Sequence, residues 1–422
     1  MKNRLFMTVL IALLIGPVQA QDLLIPMDDS QSDHLKAYGV TFWSLNRSID
    51  VDWLLNYRGG SFLISRTPEV ENELRVRGVR YEVLNGSQTA AVISEVESDA
   101  SNTSVVRLEK PPKIAVYAPD QTLPWDDAVL LALTYAEVPY DMIYDDQLLA
   151  GDLEDYDWLH LHHEDFTGQY GKFYRSHRNA QWYRDQKQQF EAVATKLGFP
   201  SVHEQKKAMA RKIKSYVGNG GFLFAMCSAT DSYDIALSME NVDGAHSVFD
   251  GTSIDPNLQT SLDYSKTFAF SGFKLLPDPM IYEFSDIDFP PSNNPVTQGA
   301  EADYFSLFEF SAKYDPVPTM LTQNHVTIVK GFMGQTTGFH KDKIKNHIVI
   351  MGEDPASDQV KYLHGNFGKG TFTFYGGHDP EDYQHFVGDP PTDLSLHRNS
   401  PGYRLILNNI LFPAARKKER KT

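Results

Sequence analysis

Cys227 is the only cysteine among 422 residues, and its setting is that of a thiol that can react. The apolar run Phe222–Met226 follows Gly220-Gly221 and leads straight into it, and Ser228 to Leu237 reads as a helix. A strand that turns sharply into a helix thrusts the residue at the turn outward, the layout of a nucleophile elbow. Such a turn brings the residues two before and two after the nucleophile together, so both must be small, and here both are alanine, Ala225 and Ala229. The helix N-terminus favours the thiolate, and the Ser228 N–H is placed to donate to an oxyanion. A buried, inert cysteine at a strand end has the same local sequence, so spacing alone leaves both readings open.

The second chemical signal is TFTFYGGHDPE, residues 371–381. An alternating strand ends at two glycines and delivers His378, with Asp379 and Glu381 just beyond. A histidine at a strand's carboxyl end followed by an acid is what a cysteine nucleophile needs as base and orienter. Alone, the segment reads as a histidine in an acidic surface turn, and it is the elbow cysteine upstream that shifts the balance. A third cluster is Trp158-Leu-His160-Leu-His162-His163-Glu164-Asp165. On a strand His160 and His162 share one face, and His163, Glu164 and Asp165 sit at its exit. Two uses compete for it. His160, His162 and Asp165 have the donor types for a divalent metal, whereas His163 and Glu164 as polar groups at the mouth of a cleft require no ion. We take the second, and expect no metal and no cofactor. There is no G-x-S-x-G, H-E-x-x-H, Walker A loop or helix-opening G-x-G-x-x-G.

Elements to position these residues can be read from periodicity. Residues 61–65 (SFLIS) form a short strand, Pro68 to Gly78 a helix and Val79 to Leu84 a strand, the length of a βαβ unit or a ferredoxin-like half. A polar stretch from Glu95 to Lys113, ending in Pro-Pro before Lys113, reads as a linker. Strands follow at Lys113 to Ala118, Tyr140 to Tyr144 and Trp158 to His162, with a helix opened by Pro124-Trp125-Asp126-Asp127, whose acids suit a helix N-terminus. Helices are expected at Gln181 to Leu197 and around Ala208 to Val217, then the strand Phe222 to Met226. Repeated βα units imply an α/β fold with a doubly wound parallel sheet and ligands at the strands' carboxyl ends. Residues 241–320, rich in Pro, Asn and Asp, read as an insertion on one sheet edge. Strands return at His347 to Met351 and Thr371 to Tyr375, and Arg404 to Phe412 closes as a helix.

The elbow and the terminal histidine together resemble the class I glutamine amidotransferase-like superfamily, marked by a Gly-Gly strand ending in G-x-C-x-G and a later strand ending in H-P-E. The resemblance covers roughly residues 113–240 and 325–412. It implies a flavodoxin-like domain in which Cys227 is nucleophile and His378 base. The elbow glycines are Ala225 and Ala229 here, and the tail reads His-Asp-Pro-Glu, one residue longer, which leaves Glu381 and Asp379 as alternative third members. The 163–168 loop would supply a second oxyanion donor. Exported bacterial chains of this type are sometimes labelled asparagine synthetase B. The residues do not support that label, because no N-terminal cysteine and no S-G-G-x-D-S loop is present.

Composition bounds the function. Lys and Arg total 39 against 55 Asp and Glu, a net charge of −16, which excludes nucleic acid as a main partner. Residues 1–20 have the basic start, apolar stretch and Val18-Gln19-Ala20 ending of a cleaved signal peptide, which implies a periplasmic or secreted protein without stable membrane insertion. The chain then divides into a signal at 1–20, a small α/β domain at 21–108, an amidotransferase-like domain at 109–415 with an insertion at 241–325, and a basic tail at 416–422. The expected activity is hydrolysis of an amide or related C–N bond in a small-molecule, peptide or carbohydrate substrate. The competing functions are a non-catalytic binder of sugar or peptide in the same cleft and a metal-dependent hydrolase at His160–Asp165.

Overall fold

A computed structural model of the chain describes residues 21–119, 125–289, 303–332, 334–383 and 387–416. The expected signal peptide at 1–20 and the basic tail beyond Arg416 lie outside them. Fifteen strands are described: β1 (Gln21–Ile25), β2 (Val51–Leu55), β3 (Ser61–Ser65), β4 (Glu82–Asn85), β5 (Ser104–Leu108), β6 (Ile114–Tyr117), β7 (Asp141–Ile143), β8 (Trp158–Leu161), β9 (Phe222–Met226), β10 (Tyr304–Leu307), β11 (Ile328–Lys330), β12 (Phe339–His340), β13 (Val349–Glu353), β14 (Gln359–Phe367) and β15 (Gly370–Tyr375). No described helix is long and apolar enough to cross a membrane.

The first five strands make an antiparallel sheet in the order β4-β1-β3-β2-β5. The βαβ unit expected from sequence is there in split form, since β3 and β4 both pair antiparallel with β1 and lie on either side of it. Its helix, Pro68–Val76, starts as its residues dictate: Thr67 accepts from the Val70 N–H, proline opens the first turn, and Glu69 and Glu71 face the positive end of the dipole. The expected linker at 95–113 contains β5. Its SVVRL sequence is a strand because β2 offers an edge to pair with, and the flanking polar residues hid it.

The second sheet runs β11-β10-β13-β14-β15-β9-β8-β6-β7, with β12 on β14. The five strands from β15 to β7 are parallel, and the pairings from β14 outward are antiparallel. The sheet is therefore mixed, which corrects the expectation of a wholly parallel one. Alternation sets its two faces. Ile114, Val116, Phe224 and Met226 join one core, whereas Ala115, Tyr117, Leu223 and Ala225 join the other. Helices at Ala128–Ala136 and Pro401–Leu411 cover the first face, and Val202–Asn219 and Ser228–Ser238 the second. The segment expected as an insertion adds β10 to the sheet's antiparallel end.

The two sheets share a core, so the boundary at residue 108 is one of sheets and not of packing. Trp53 and Phe62 of the small sheet lie in the same apolar cluster as Ile114 and Ile410. The helix His34–Leu45 bridges them, and Gly39 allows a close approach to the helix Ala128–Ala136: a Cβ there would fall 1.9 Å from the Ala136 carbonyl oxygen. Arg404, fully buried, donates to the carbonyls of Met27 (3.0 Å) and Gly59 (2.6 Å) and contacts His325 Nδ1 at 3.2 Å. His34 stacks on His325 with centroids 4.3 Å apart. Burial and the Arg404 charge push His34 down to about 3 and His325 to about 4, so both are neutral at physiological pH.

Removing the Arg404 guanidinium strands two carbonyls and leaves a void. Arg404→Ala should destabilise the protein by roughly 3–5 kcal/mol, and Arg47→Ala, which loses only exposed contacts with Trp43, by no more than about 1 kcal/mol, both measured by chemical denaturation.

Candidate active site

Cys227 stands between the end of β9 and the helix Ser228–Ser238 with φ 51° and ψ −138°. For a residue with a Cβ this conformation costs on the order of 1–3 kcal/mol, and it persists only where the surroundings enforce it. Here β9 is clamped between β8 and β15, and Ala225 and Ala229 are both fully buried, leaving no slack on either side of the turn. Helix and strand are also tied across the turn, since the Ala229 N–H donates to the His162 carbonyl (3.1 Å). The thiol is 3% exposed. The Gln335 N–H lies 3.3 Å from Sγ, carried by a loop whose Gly334 packs against the His378 backbone: a Cβ on Gly334 would meet the His378 backbone nitrogen at 2.7 Å.

His378 reaches Cys227 because β15 and β9 are parallel neighbours in register, Tyr375 opposite Met226, so both strands end at one level. The Gly377 turn, with φ 100°, then swings the imidazole toward the sulfur. Its Nε2 lies 3.3 Å from Asp126 Oδ1, in an environment that buries both side chains. Burial alone would lower the His378 pKa. Hydrogen bonds to Asp126 and Cys227, and electrostatic attraction to both, outweigh it and raise the pKa to about 10. The ring is therefore an imidazolium at neutral pH.

The other two carboxylates expected near His378 are engaged elsewhere. Asp379 accepts from the Tyr403 hydroxyl (2.7 Å) and the Glu381 N–H (2.8 Å), and Glu381 pairs with His397 at 3.1 Å. Asp126 was legible in the sequence only as a helix-start acid. The signal that could have found it is its place just after β6, on the carboxyl-end side shared by the parallel strands. Its neighbour Asp127 is the true N-cap, accepting from Val129 (2.8 Å) and Leu130 (3.0 Å).

The His160–Asp165 cluster divides among four tasks. His160 Nε2 lies 3.0 Å and His162 Nδ1 3.3 Å from Asp127 Oδ2. His163 Nε2 bonds the Asp126 carbonyl at 2.8 Å, and its ring stacks on His162 at 3.7 Å and lies 4.7 Å from His378. Glu164 accepts from the His162 N–H (2.9 Å), and burial raises its pKa to about 7. Asp165 instead shapes the loop, accepting from the N–H groups of Thr167, Gln169 and Gly171. It does not join His160 and His162, whose shared carboxylate is Asp127. Among the described residues two sets bring potential metal-donor atoms within 4.8 Å of one another: Asp127, His160 and His162, and His162, His163, Cys227 and His378. Beside His163 and Glu164 a narrow cavity is walled by Trp125, Tyr144, Phe173 and Phe190.

One further buried acid sits on the elbow helix. Asp231, fully buried, accepts from Thr336 Oγ1 (2.9 Å) and the Ser232 N–H, and burial raises its pKa from 3.8 to about 7. Between these values the folded state keeps a proton that the unfolded chain has lost, so this group's contribution to stability falls as pH rises from about 4 to 7. Asp231→Asn keeps the acceptor for Thr336. It should match the wild type near pH 4 and exceed it above pH 7, by up to about 4 kcal/mol, in denaturation curves taken across that range.

No family model matches the chain, and no curated protein matches it. Among solved structures it is similar to the Cytoplasmic Protein STM3548 from Salmonella typhimurium, at 11% identity and TM-score 0.34, covering 72% of this chain and 100% of that one. It is similar also to the Cytoplasmic Protein STM1381 from Salmonella typhimurium LT2, at 10% identity and TM-score 0.33, covering 71% and 98%. A third likeness is to Gan42B, a GH42 beta-galactosidase, at 12% identity and TM-score 0.27, covering 64% of this chain and only 28% of the enzyme. Likenesses at this level carry no argument about activity.

Proposed function

We propose that the chain is a cysteine-dependent hydrolase of an amide or related C–N bond, of the class I glutamine amidotransferase type. The observation that carries this reading is the strained Cys227 facing His378, whose Nε2 is held by Asp126. The parallel strand order β7-β6-β8-β9-β15 supports a flavodoxin-like, doubly wound core for this half of the sheet, with the site at its carboxyl ends.

In this mechanism the Cys227 thiolate attacks the carbonyl carbon, and the C–S bond forms as the carbonyl electrons move to oxygen. Backbone N–H groups of the elbow, Ser228 first, stabilise that oxyanion. The C–N bond then breaks as His378 gives its proton to the leaving amine. Neutral His378 next takes a proton from water, the hydroxide attacks the thioester, and the acid product leaves with the thiolate restored. Asp126, in place of Glu381 or Asp379, orients the imidazole and stabilises its charged form. The substrate in this reading is a small molecule, a peptide or a carbohydrate. Export with cleavage after Ala20 belongs to the same reading, and mass spectrometry of protein from its host should find Gln21 as the first residue.

A binder using the same cleft is the second reading, favoured by the burial of the thiol. Iodoacetamide labelling at neutral pH, with chelator present, separates the two. Cys227 should react in the folded protein, at least about ten-fold more slowly in His378→Ala, and at an intermediate rate in Asp126→Asn, where the imidazole remains but its orienting charge is gone. A thiol labelled only after unfolding would sink the hydrolase and leave the binder.

A further inference from the structure

We propose that Cys227, His378, His163 and His162 together bind one zinc ion, which masks the thiol and switches the site off. The inference rests on Cys227 being the nucleophile, and concerns the regulation of that same site.

Four observations carry it. The donor atoms of the four residues already lie within 4.8 Å of one another. Tetrahedral zinc, with Zn–S near 2.3 Å and Zn–N near 2.0–2.1 Å, holds its ligand atoms about 3.3–3.6 Å apart, so closing the cluster needs shifts of about an ångström and a turn of the stacked His162 and His163 rings toward the ion. Second, His162 is 1% exposed, yet its Nε2 has no hydrogen-bond partner among the described residues. A buried imidazole nitrogen without a partner is the kind of exception that a bound ion accounts for. Third, oxygens of two consecutive acids stand behind the rings, bonded to His163 and His378 and close to His162. The Asp126 carbonyl takes His163 Nε2, the Asp126 carboxylate takes His378 Nε2, and Asp127 lies 3.3 Å from His162 Nδ1. Carboxylate or carbonyl behind imidazole is how metal-ligating histidines are oriented and their tautomers fixed. Fourth, the donor set of one thiolate and three imidazoles suits zinc and rejects magnesium or calcium.

The consequence follows from the ligand count. Four protein donors complete a tetrahedron and leave no position for water or substrate, so the ion blocks and does not catalyse. Zinc accepts lone pairs from the thiolate sulfur and three imidazole nitrogens, and the proton carried by His378 goes to solvent. The neighbouring group of Asp127, His160 and His162 is a poorer host, because Asp127 already caps a helix and it offers no sulfur.

The test uses the whole chain after chelator treatment, with cobalt(II) as spectroscopic probe and zinc as competitor. One equivalent of cobalt should give the intense visible bands of a tetrahedral site and a near-ultraviolet thiolate charge-transfer band, both erased by zinc. Cys227→Ser should lose the charge-transfer band, and His162→Asn should bind at least ten-fold more weakly. One equivalent of zinc should protect Cys227 from iodoacetamide, and EDTA should reverse that protection. A weak octahedral spectrum, or affinity unchanged in both variants, overturns the zinc site. The wild-type titration and the near-isosteric Cys227→Ser suffice if His162→Asn fails to fold. The two proposals fail separately: a thiol that labels fast but binds no cobalt removes the zinc site alone, and a cobalt–thiolate complex on a thiol inert without metal removes the hydrolase but not the binding.

Discussion

The parallel pairing of β9 with β15 is the constraint on which the site depends. Two parallel strands in register end at the same level, so a residue just past one end meets a residue just past the other. Cys227 and His378 are those residues. β6 and β8, parallel neighbours on the other side of β9, bring Asp126 and the histidine run to the same rim. The strained Cys227 backbone is affordable because every neighbour of β9 is fixed by its own hydrogen bonds and by packing on both faces.

Charge at the rim is arranged in consecutive residues. Asp126 serves His378 with its carboxylate and His163 with its carbonyl, while Asp127 serves His160 and His162 and caps the next helix. The helix beginning at Ala128 thus fixes the imidazoles as firmly as it fixes itself. Buried acids such as Asp231 and Glu164 differ in kind. They lack a full counter-charge, and burial moves their proton affinities toward neutrality.

The elements with strong period and clean punctuation were legible in the sequence. β3, β9 and the helix at Gln181–Lys196 lie within a residue of where periodicity places them. What escaped it was structure whose residues make sense only through partners. β14 carries Lys361 and His364 at buried positions, where Lys361 is held by the carbonyls of Phe332 and Thr337. β5 is a strand only because β2 needs an edge partner. The antiparallel half of the sheet has no signature in a one-dimensional pattern that distinguishes it from further parallel strands. At the site, the nucleophile position and its histidine were marked by local turns, whereas Asp126 was not, because its role depends on which strand ends are neighbours.

The distance along the chain between the partners has a consequence for the order of events in folding. His378 and Asp126 are 252 residues apart and Cys227 lies between them. Contacts of such long sequence separation form late, after the loop-closure entropy of the intervening chain has been overcome. A chain whose C-terminal strand β15 has not yet docked holds a cysteine without the His378 imidazole. The thiol then lacks its proposed base throughout synthesis and most of folding, and gains it only when the last parallel strand is in place.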